Sequence, residues 1–222
     1  MKERPILFSA PMVRAILDGR KTQTRRAVKP QPDSVKDFGK AVPYRRAAPP
    51  RDMPSAQYEV PIPCPYGVPG DRLWVRETWG VGNRSCPSQG WVDGIEYRAD
   101  CVGDEVPPLF EIIPGHVQAD SIRAGWRPSI HMPRWASRIT LEVTDVRVER
   151  LQDISETDAM AEGIAEYPDG FHWEPNPEPA YCRLIGRTAQ RAFLGLWEQI
   201  NGVESVEANP WVWVVEFKRV TP

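Results

Sequence analysis

The sequence predicts an α+β chain, built as a small β-barrel with short flanking helices and interrupted by long proline-rich insertions. Three observations lead there. Arg138 to Leu151 alternates apolar and polar residues: Ile139, Leu141 and Val143 form one apolar row, and Val146 and Val148 resume it shifted by one. The slip at Thr144-Asp145 marks a bulge or bend, and a long bent strand suits a barrel. Trp211 to Val220 is apolar enough for a central strand. Near the other end of the chain, a first strand at Pro5 to Ser9 feeds a short helix, a glycine and a basic extended segment.

That helix is expected over Pro11 to Asp18. Pro11 stands at a first-turn position where a missing N–H is harmless, and Met12, Ala15 and Ile16 share one apolar side. Gly19 closes it, because glycine takes the left-handed conformation that ends a helix. Val28 to Pro69 holds ten prolines among mostly polar or small residues, so it is expected as a loop or surface insertion. After the turn Gly67 to Asp71, Arg72 to Trp79 reads as a strand, with Leu73, Val75 and Glu77 on one face and Trp74, Arg76 and Thr78 on the other. Gly80 to Trp135 breaks into short pieces, including a hairpin made by Gly90–Val92 and Gly94–Ala99. Ser155 caps a short helix from Glu156 to Glu162, ended by Gly163. Beyond a third proline-rich loop, an amphipathic helix runs from Thr188 to Ile200, with Phe193, Leu196, Trp197 and Ile200 on one side and Asn201-Gly202 as its stop.

The chain has 222 residues, 41% of them hydrophobic, enough to bury a substantial core. A single domain spanning residues 1–222 is expected, with insertions at about 28–69, 80–135 and 165–186. A net charge of −2 excludes the global basic field that drives tight non-specific nucleic-acid binding. Lysine and arginine nevertheless concentrate before residue 52, so any nucleic-acid contact is local. The apolar patch Ile6-Leu7-Phe8 is too short for a signal peptide or membrane span, and a cytoplasmic monomer without membrane partners is the expectation. Cys64, Cys86, Cys101 and Cys182 show no CxxC pair, and the three histidines form no ligand spacing, so neither metal nor cofactor is expected.

Chemistry concentrates in Gly19-Arg20-Lys21-Thr22-Gln23-Thr24-Arg25-Arg26. A run of this kind is either a solvated basic loop or the floor of a cationic pocket. Strict strand alternation would put Lys21 and Thr24 on opposite faces, so a shared site requires a turn or bulge between them. Glu77, a carboxylate continuing an apolar face, serves either an arginine or a substrate. The aromatic and cationic stretch Trp126 to Trp135 suits stacking on a nucleobase as well as it suits plugging a barrel end.

These landmarks resemble the ASCH family, whose fold is a PUA-like barrel and whose signature GxKxxxxR is met here by Gly19, Lys21 and Arg26. The family often has glutamate where this chain has Thr24. Within it, the bacterial N4-acetylcytidine amidohydrolases carry the same GRKT-x-T-x-R run; their lysine and second threonine match Lys21 and Thr24, and their glutamate, in the short helix after the long strand, matches Glu162. Gly70-Asp71 opening a strand, the Ile139 to Leu151 strand and the closing VVEFK are similar in order. The chain is about twice the size of the minimal enzymes, the excess lying in its proline-rich insertions, and it looks like versions encoded in phages and prophages.

The resemblance implies a hydrolase that removes the acyl group from N4-acylated cytosine nucleosides. A threonine hydroxyl needs a base to accept its proton, and lysine serves only if desolvation or nearby positive charge lowers its pKa. Thr24 would attack, Lys21 would take the proton, and Glu162 would hold Lys21 or handle the leaving amine or the water. Equally, Glu162 could activate water with Thr24 and Lys21 as oxyanion donors. Arg26 is assigned to charge tuning and substrate contact, and Trp74, Glu77, Trp79 and Trp135 to holding the base. Other classes fit the same residues: a non-catalytic RNA or modified-base reader, a ribonuclease using Lys21 and Glu162 as acid and base, or a structural Lys21–Glu162 ion pair.

Overall fold

The computed structural model describes residues 1–37, 40–48, 58–86, 90–101, 111–112, 125–168, 170–173 and 186–220, of which 83–86, 90–93 and 111–112 are described by backbone alone. Its fold is mixed α+β, mostly strands in several sheets with a few short helices.

The principal sheet uses β1 (Glu3–Leu7), β2 (Gln23–Ala27), β6 (Arg72–Arg76), β10 (Thr140–Arg150) and β13 (Trp211–Val220), in the order β1-β6-β10-β13-β2. β1 and β6 run parallel and the other pairs antiparallel. The slip expected at Thr144-Asp145 is present: the β10–β13 register shifts between Val143 and Asp145. The slip keeps Leu141, Val143 and Val148 in one core, and the two faces of the sheet serve two cores. On one side, Leu73, Val75, Leu141, Val143, Val215 and Phe217 pack with Ile6, Phe8, Val13 and Ile16. On the other, Val212 and Val214 pack with Leu151, Ile154, Ala192 and Phe193.

No sheet closes into a barrel among the described residues. The two edges of the principal sheet are joined by a side chain instead of a ladder: Arg26 on β2 donates through Nη2 to the carbonyl of Leu7 on β1. This seam between β1 and β2 is where the basic motif lies.

Helix α1 (Ala10–Leu17) has Pro11 in its first turn and buries Val13, Ala15 and Ile16. Gly19 then takes φ +75°. Helix α2 (Glu156–Ala161) starts as the sequence predicts, Ser155 Oγ accepting from the Asp158 N–H at 3.0 Å. Helix α3 (Ala189–Asn201) is capped by Thr188 and buries Phe193, Leu196 and Trp197. Ile200, expected on that apolar side, is instead 60% exposed, and a further short helix α4 (Glu204–Glu207) follows.

The insertions are more regular than their prolines suggest. Residues 28–69 contain an antiparallel sheet of β3 (Ser34–Asp37), β4 (Ala41–Ala47) and β5 (Tyr58–Pro61). Pro43 is tolerated inside β4, its carbonyl accepting from the Ile62 N–H at 2.8 Å. In the second insertion β8 (Gly90–Tyr97) is one continuous strand, paired with β7 (Trp79–Cys86) and β9 (Glu111–Ile112), so the expected hairpin within it is replaced by a hairpin with β7. The third begins with β11 (Ala165–Tyr167) and β12 (Gly170–His172); the rest of that expected loop, with Cys182, lies outside the described residues.

Candidate functional site

Two helix C-termini converge on Lys21. After Gly19 the chain folds back along α1, the Lys21 N–H donating to Ala15 O at 2.9 Å. The Thr22 N–H then donates to Ala161 O at 2.8 Å, tying this turn to the end of α2, and Thr22 O accepts from the Phe217 N–H before the strand proper begins at Gln23. Lys21 therefore sits in the turn ahead of β2, and the alternation that would separate it from Thr24 does not apply to it. Glu162, the residue capping α2, is presented by the same turn, and Gly163 behind it has φ +103°. A Cβ on Gly163 would stand 3.2 Å from Ala15 Cβ and 3.4 Å from Lys21 Cβ, so only glycine lets the two turns touch.

The resulting ion pair is buried: the Lys21 side chain is 0% exposed and that of Glu162 4%. Lys21 Nζ donates to Glu162 Oε2 at 2.7 Å and to the Glu162 carbonyl at 2.7 Å. A carbonyl at a helix C-terminus carries partial negative charge, so both contacts favour the ammonium. Burial acts more strongly the other way and holds the Lys21 pKa below the ordinary lysine range; Glu162 pulls it up, and the Arg26 and Arg25 charges push it down.

The two faces of β2 have separate tasks. Gln23 and Arg25 turn toward α2: Gln23 Nε2 donates to Asp158 O at 2.7 Å, and Arg25 Nη2 contacts Asp158 Oδ2 at 3.0 Å and Glu149 Oε2 at 3.1 Å. Arg25 Nη1 also lies 3.5 Å from Glu162 Oε1, so the Glu162 carboxylate is held between a lysine and an arginine. Arg147 reinforces the network through Asp158, Glu149 and Glu216. Burial opposes ionisation of Asp158, but Arg25, Arg147 and Gln23 outweigh it and hold that carboxyl below its usual range. Thr24 and Arg26, one residue out of step, turn toward the seam. Thr24 is buried at 3% exposure, opposite Val215, and Arg26 lies opposite Trp213. The Phe8 ring is shared: Lys21 Nζ lies 5.6 Å and the Arg26 guanidinium 5.4 Å from its centroid.

Beside the seam is a cleft of about 590 Å³, whose lining includes Arg26, Lys29, Arg45, Tyr66, Asn201 and Trp213. Burial pushes the Tyr66 hydroxyl up, with the Arg26 charge acting against it.

The structure thus pairs Lys21 with Glu162 beside the seam and turns Thr24 and Arg26 of β2 toward it, Lys21 and Arg26 meeting at the Phe8 ring, while the Glu162 carboxylate is shared with Arg25 on the other face of the strand. It does not bring the other expected substrate contacts there. Trp74 occupies the face of β6 opposite Leu73 and Val75, where the Arg76 and Arg134 guanidiniums lie 4.6 and 6.0 Å from its ring. Trp79 and Trp135 meet edge to face at 5.7 Å in a separate core with Ile95, Tyr97 and Met132. Glu77 is 1% exposed, and both its carboxylate oxygens accept from Arg138 at 3.0 Å. Arg138 also binds Asp100 and stacks 3.9 Å from the Tyr97 ring. Glu77 is therefore an internal partner of an arginine; burial raises its pKa while Arg138 pulls it down. The aromatics at the seam are instead Phe8, Tyr66 and Trp213, which no local motif singles out.

Among the described residues no group of three His, Cys, Asp or Glu side chains is placed to hold a metal ion, and no helix is long and apolar enough to cross a membrane. Comparison of the chain with protein-family models, curated proteins and solved structures found no match.

Proposed function

We propose that this chain is an amidohydrolase that removes the acyl group from N4-acylated cytosine nucleosides, with Lys21, Thr24 and Glu162 as its reacting groups, in a PUA-like fold of the ASCH type. One observation carries the reading: a lysine with no exposed side-chain surface, paired at 2.7 Å with a carboxylate, next to a strand whose seam-facing residue is a threonine. A surface lysine is protonated at neutral pH and takes up no proton; burial and the Arg25 and Arg26 charges move Lys21 toward the range where it does. The curl that brings β1 and β2 together at Arg26 and Leu7 supports the fold assignment.

In the reaction, Lys21 passes a proton along its hydrogen bond to Glu162 Oε2 and becomes a neutral amine. Thr24 Oγ1 attacks the acyl carbonyl carbon as its hydroxyl proton moves to Lys21 Nζ, forming the new C–O bond. The C–N4 bond then breaks, N4 takes the proton from Lys21, and the cytosine leaves with its free amino group. Water attacks the threonyl ester with Lys21 again accepting a proton, the C–Oγ1 bond breaks, and the proton returns to Thr24 as the carboxylic acid departs. Arg25, hydrogen-bonded through Asp158 and Glu149, keeps the Glu162 carboxyl in place between proton transfers.

The test is incubation of the protein with N4-acetylcytidine and a panel of other N4-acylcytosines, followed by absorbance or chromatography. Thr24→Ala and Lys21→Met run in parallel. Release of cytidine is expected, with losses of roughly 10²-fold or more in each variant. Failure of the whole panel to react, or undiminished turnover in Lys21→Met, defeats the proposal.

A further inference from the structure

Resting on the acylcytosine reading above, we infer that the cleft beside the seam is a phosphate site, so that the preferred substrate is a phosphorylated form of the acylated nucleoside. The cleft has a volume of about 590 Å³, within the range of small-molecule sites. Its lining contains Arg26, Lys29 and Arg45 and no carboxylate.

Several cations elsewhere are neutralised by carboxylates, although among the described residues Arg76, Arg150 and Arg219 hydrogen-bond only to backbone carbonyls. Arg25 meets Glu149, Asp158 and Glu162; Arg138 meets Glu77 and Asp100; Arg147 meets Glu149, Asp158 and Glu216. Arg26, Lys29 and Arg45 have no carboxylate partner among the described residues. The Nε of Arg26 is buried and hydrogen-bonded to nothing. A buried guanidinium N–H without an acceptor is costly unless a ligand supplies one. Three uncompensated cations around one concave site, in a chain of net charge −2, call for an anion, and arginine's planar fork matches phosphate oxygens.

None of Lys21, Thr24 and Glu162 lines the cleft, and Arg26 is its link to them. Arg26 is two residues from Thr24 on the same face of β2, a separation of about 7 Å along a strand. Arg26 therefore belongs to both, and Lys29 and Arg45 extend the positive lining away from Thr24. A nucleotide laid along the seam would present its acylated base to Thr24 and its phosphate to these three cations, with Tyr66 and Trp213 alongside.

The experiment has two parts, both on the full chain. Cytidine and cytidine 5′-monophosphate are titrated by calorimetry at low and high salt. N4-acetylcytidine and its 5′-monophosphate are compared by kcat and KM. Each is repeated with the double variant Lys29→Ala/Arg45→Ala and with Lys218→Ala, an exposed cation paired with Glu142, as the charge control. The monophosphates are expected to bind roughly tenfold tighter than the nucleosides, the advantage appearing in KM, weakening with salt and persisting in Lys218→Ala. In the double variant the ratio should fall to about one. Equal affinities in the unsubstituted chain, or a ratio unchanged in the double variant, overturn the phosphate site. Deacylation without phosphate preference leaves the amidohydrolase and removes this inference. Phosphate-dependent binding without deacylation keeps the site and removes the amidohydrolase. An acylcytidine inside a short oligoribonucleotide, run alongside, distinguishes a free nucleotide from a polymer as the source of the phosphate.

Discussion

Replacing Glu162 with Gln leaves Lys21 buried without its counter-charge. The pair lies at 2.7 Å between side chains 0% and 4% exposed, so water does not screen it, and removing one member of such a pair costs about 3–5 kcal/mol. The amide oxygen of glutamine keeps a hydrogen bond within reach, and Nζ retains the Glu162 carbonyl at 2.7 Å. The expected loss at pH 7 is therefore at the lower end, about 3 kcal/mol. The loss shrinks as pH rises. Lys21 already has a lowered pKa in the fold, and removing Glu162 removes the charge that raises it. A group whose folded pKa is lowered adds stability that is fully present above its unfolded value, near 10.4, and is lost as pH falls through the folded value. The variant's window is wider than that of the unsubstituted chain, so the two urea-melt stabilities converge between pH 7 and 10. Adding Lys21→Met removes the orphaned charge and should return the protein to within about 1–2 kcal/mol of the starting stability, recovering about 1–2 kcal/mol of the Glu162→Gln loss. A Glu162→Gln protein within about 0.5 kcal/mol of the unsubstituted chain, with no pH dependence, would refute the claim that this pair is desolvated.

Gly163→Ala should destabilise by about 1–3 kcal/mol, because φ +103° strains any other residue and the added methyl meets Ala15 and Lys21; thermal melts and turnover of N4-acetylcytidine should fall together. Glu77→Gln should cost about 3 kcal/mol, leaving Arg138 with only Asp100, while the folded fraction keeps its KM for substrate. A raised KM would return Glu77 to the binding site. Asp71 accepts from the Lys2 N–H, from Arg4 and from the Val68 N–H, and its pKa is lowered to about 2. Its contribution is present above the ordinary value of 3.8 and is lost as pH falls through about 2. Circular dichroism on acidification should show a loss of stability over that interval that Asp71→Asn lacks.

The residues that end helices and bend strands were legible because their effects are local. Gly19 and Gly163 at positive φ, Ser155 at its cap and the slip at Thr144-Asp145 follow from backbone conformation within a few residues. Lys21, Thr24 and Glu162 stood out through a resemblance, and the turn ahead of β2 takes Lys21 out of the alternation that a strand would impose. The tryptophans misled because alternation tells that Trp74 and Val75 face opposite ways without telling which face meets the site. The strands inside the proline-rich stretch were hidden because proline removes one donor while its carbonyl still accepts, as Pro43 does from Ile62.

By itself, then, the sequence determined the strand and helix periods, the caps, and a charge balance too acidic for a global nucleic-acid field, since these depend on neighbours in the chain or on composition. Tertiary structure decided which cations are neutralised and which line the cleft. Glu162 reaches Lys21 across 141 residues, and Arg26 shares the Phe8 ring only because β1 and β2, at opposite edges of one curled sheet, are folded back on each other. Burial and pairing arise from contacts between distant segments, and those contacts set whether a lysine is a solvated charge or a proton acceptor.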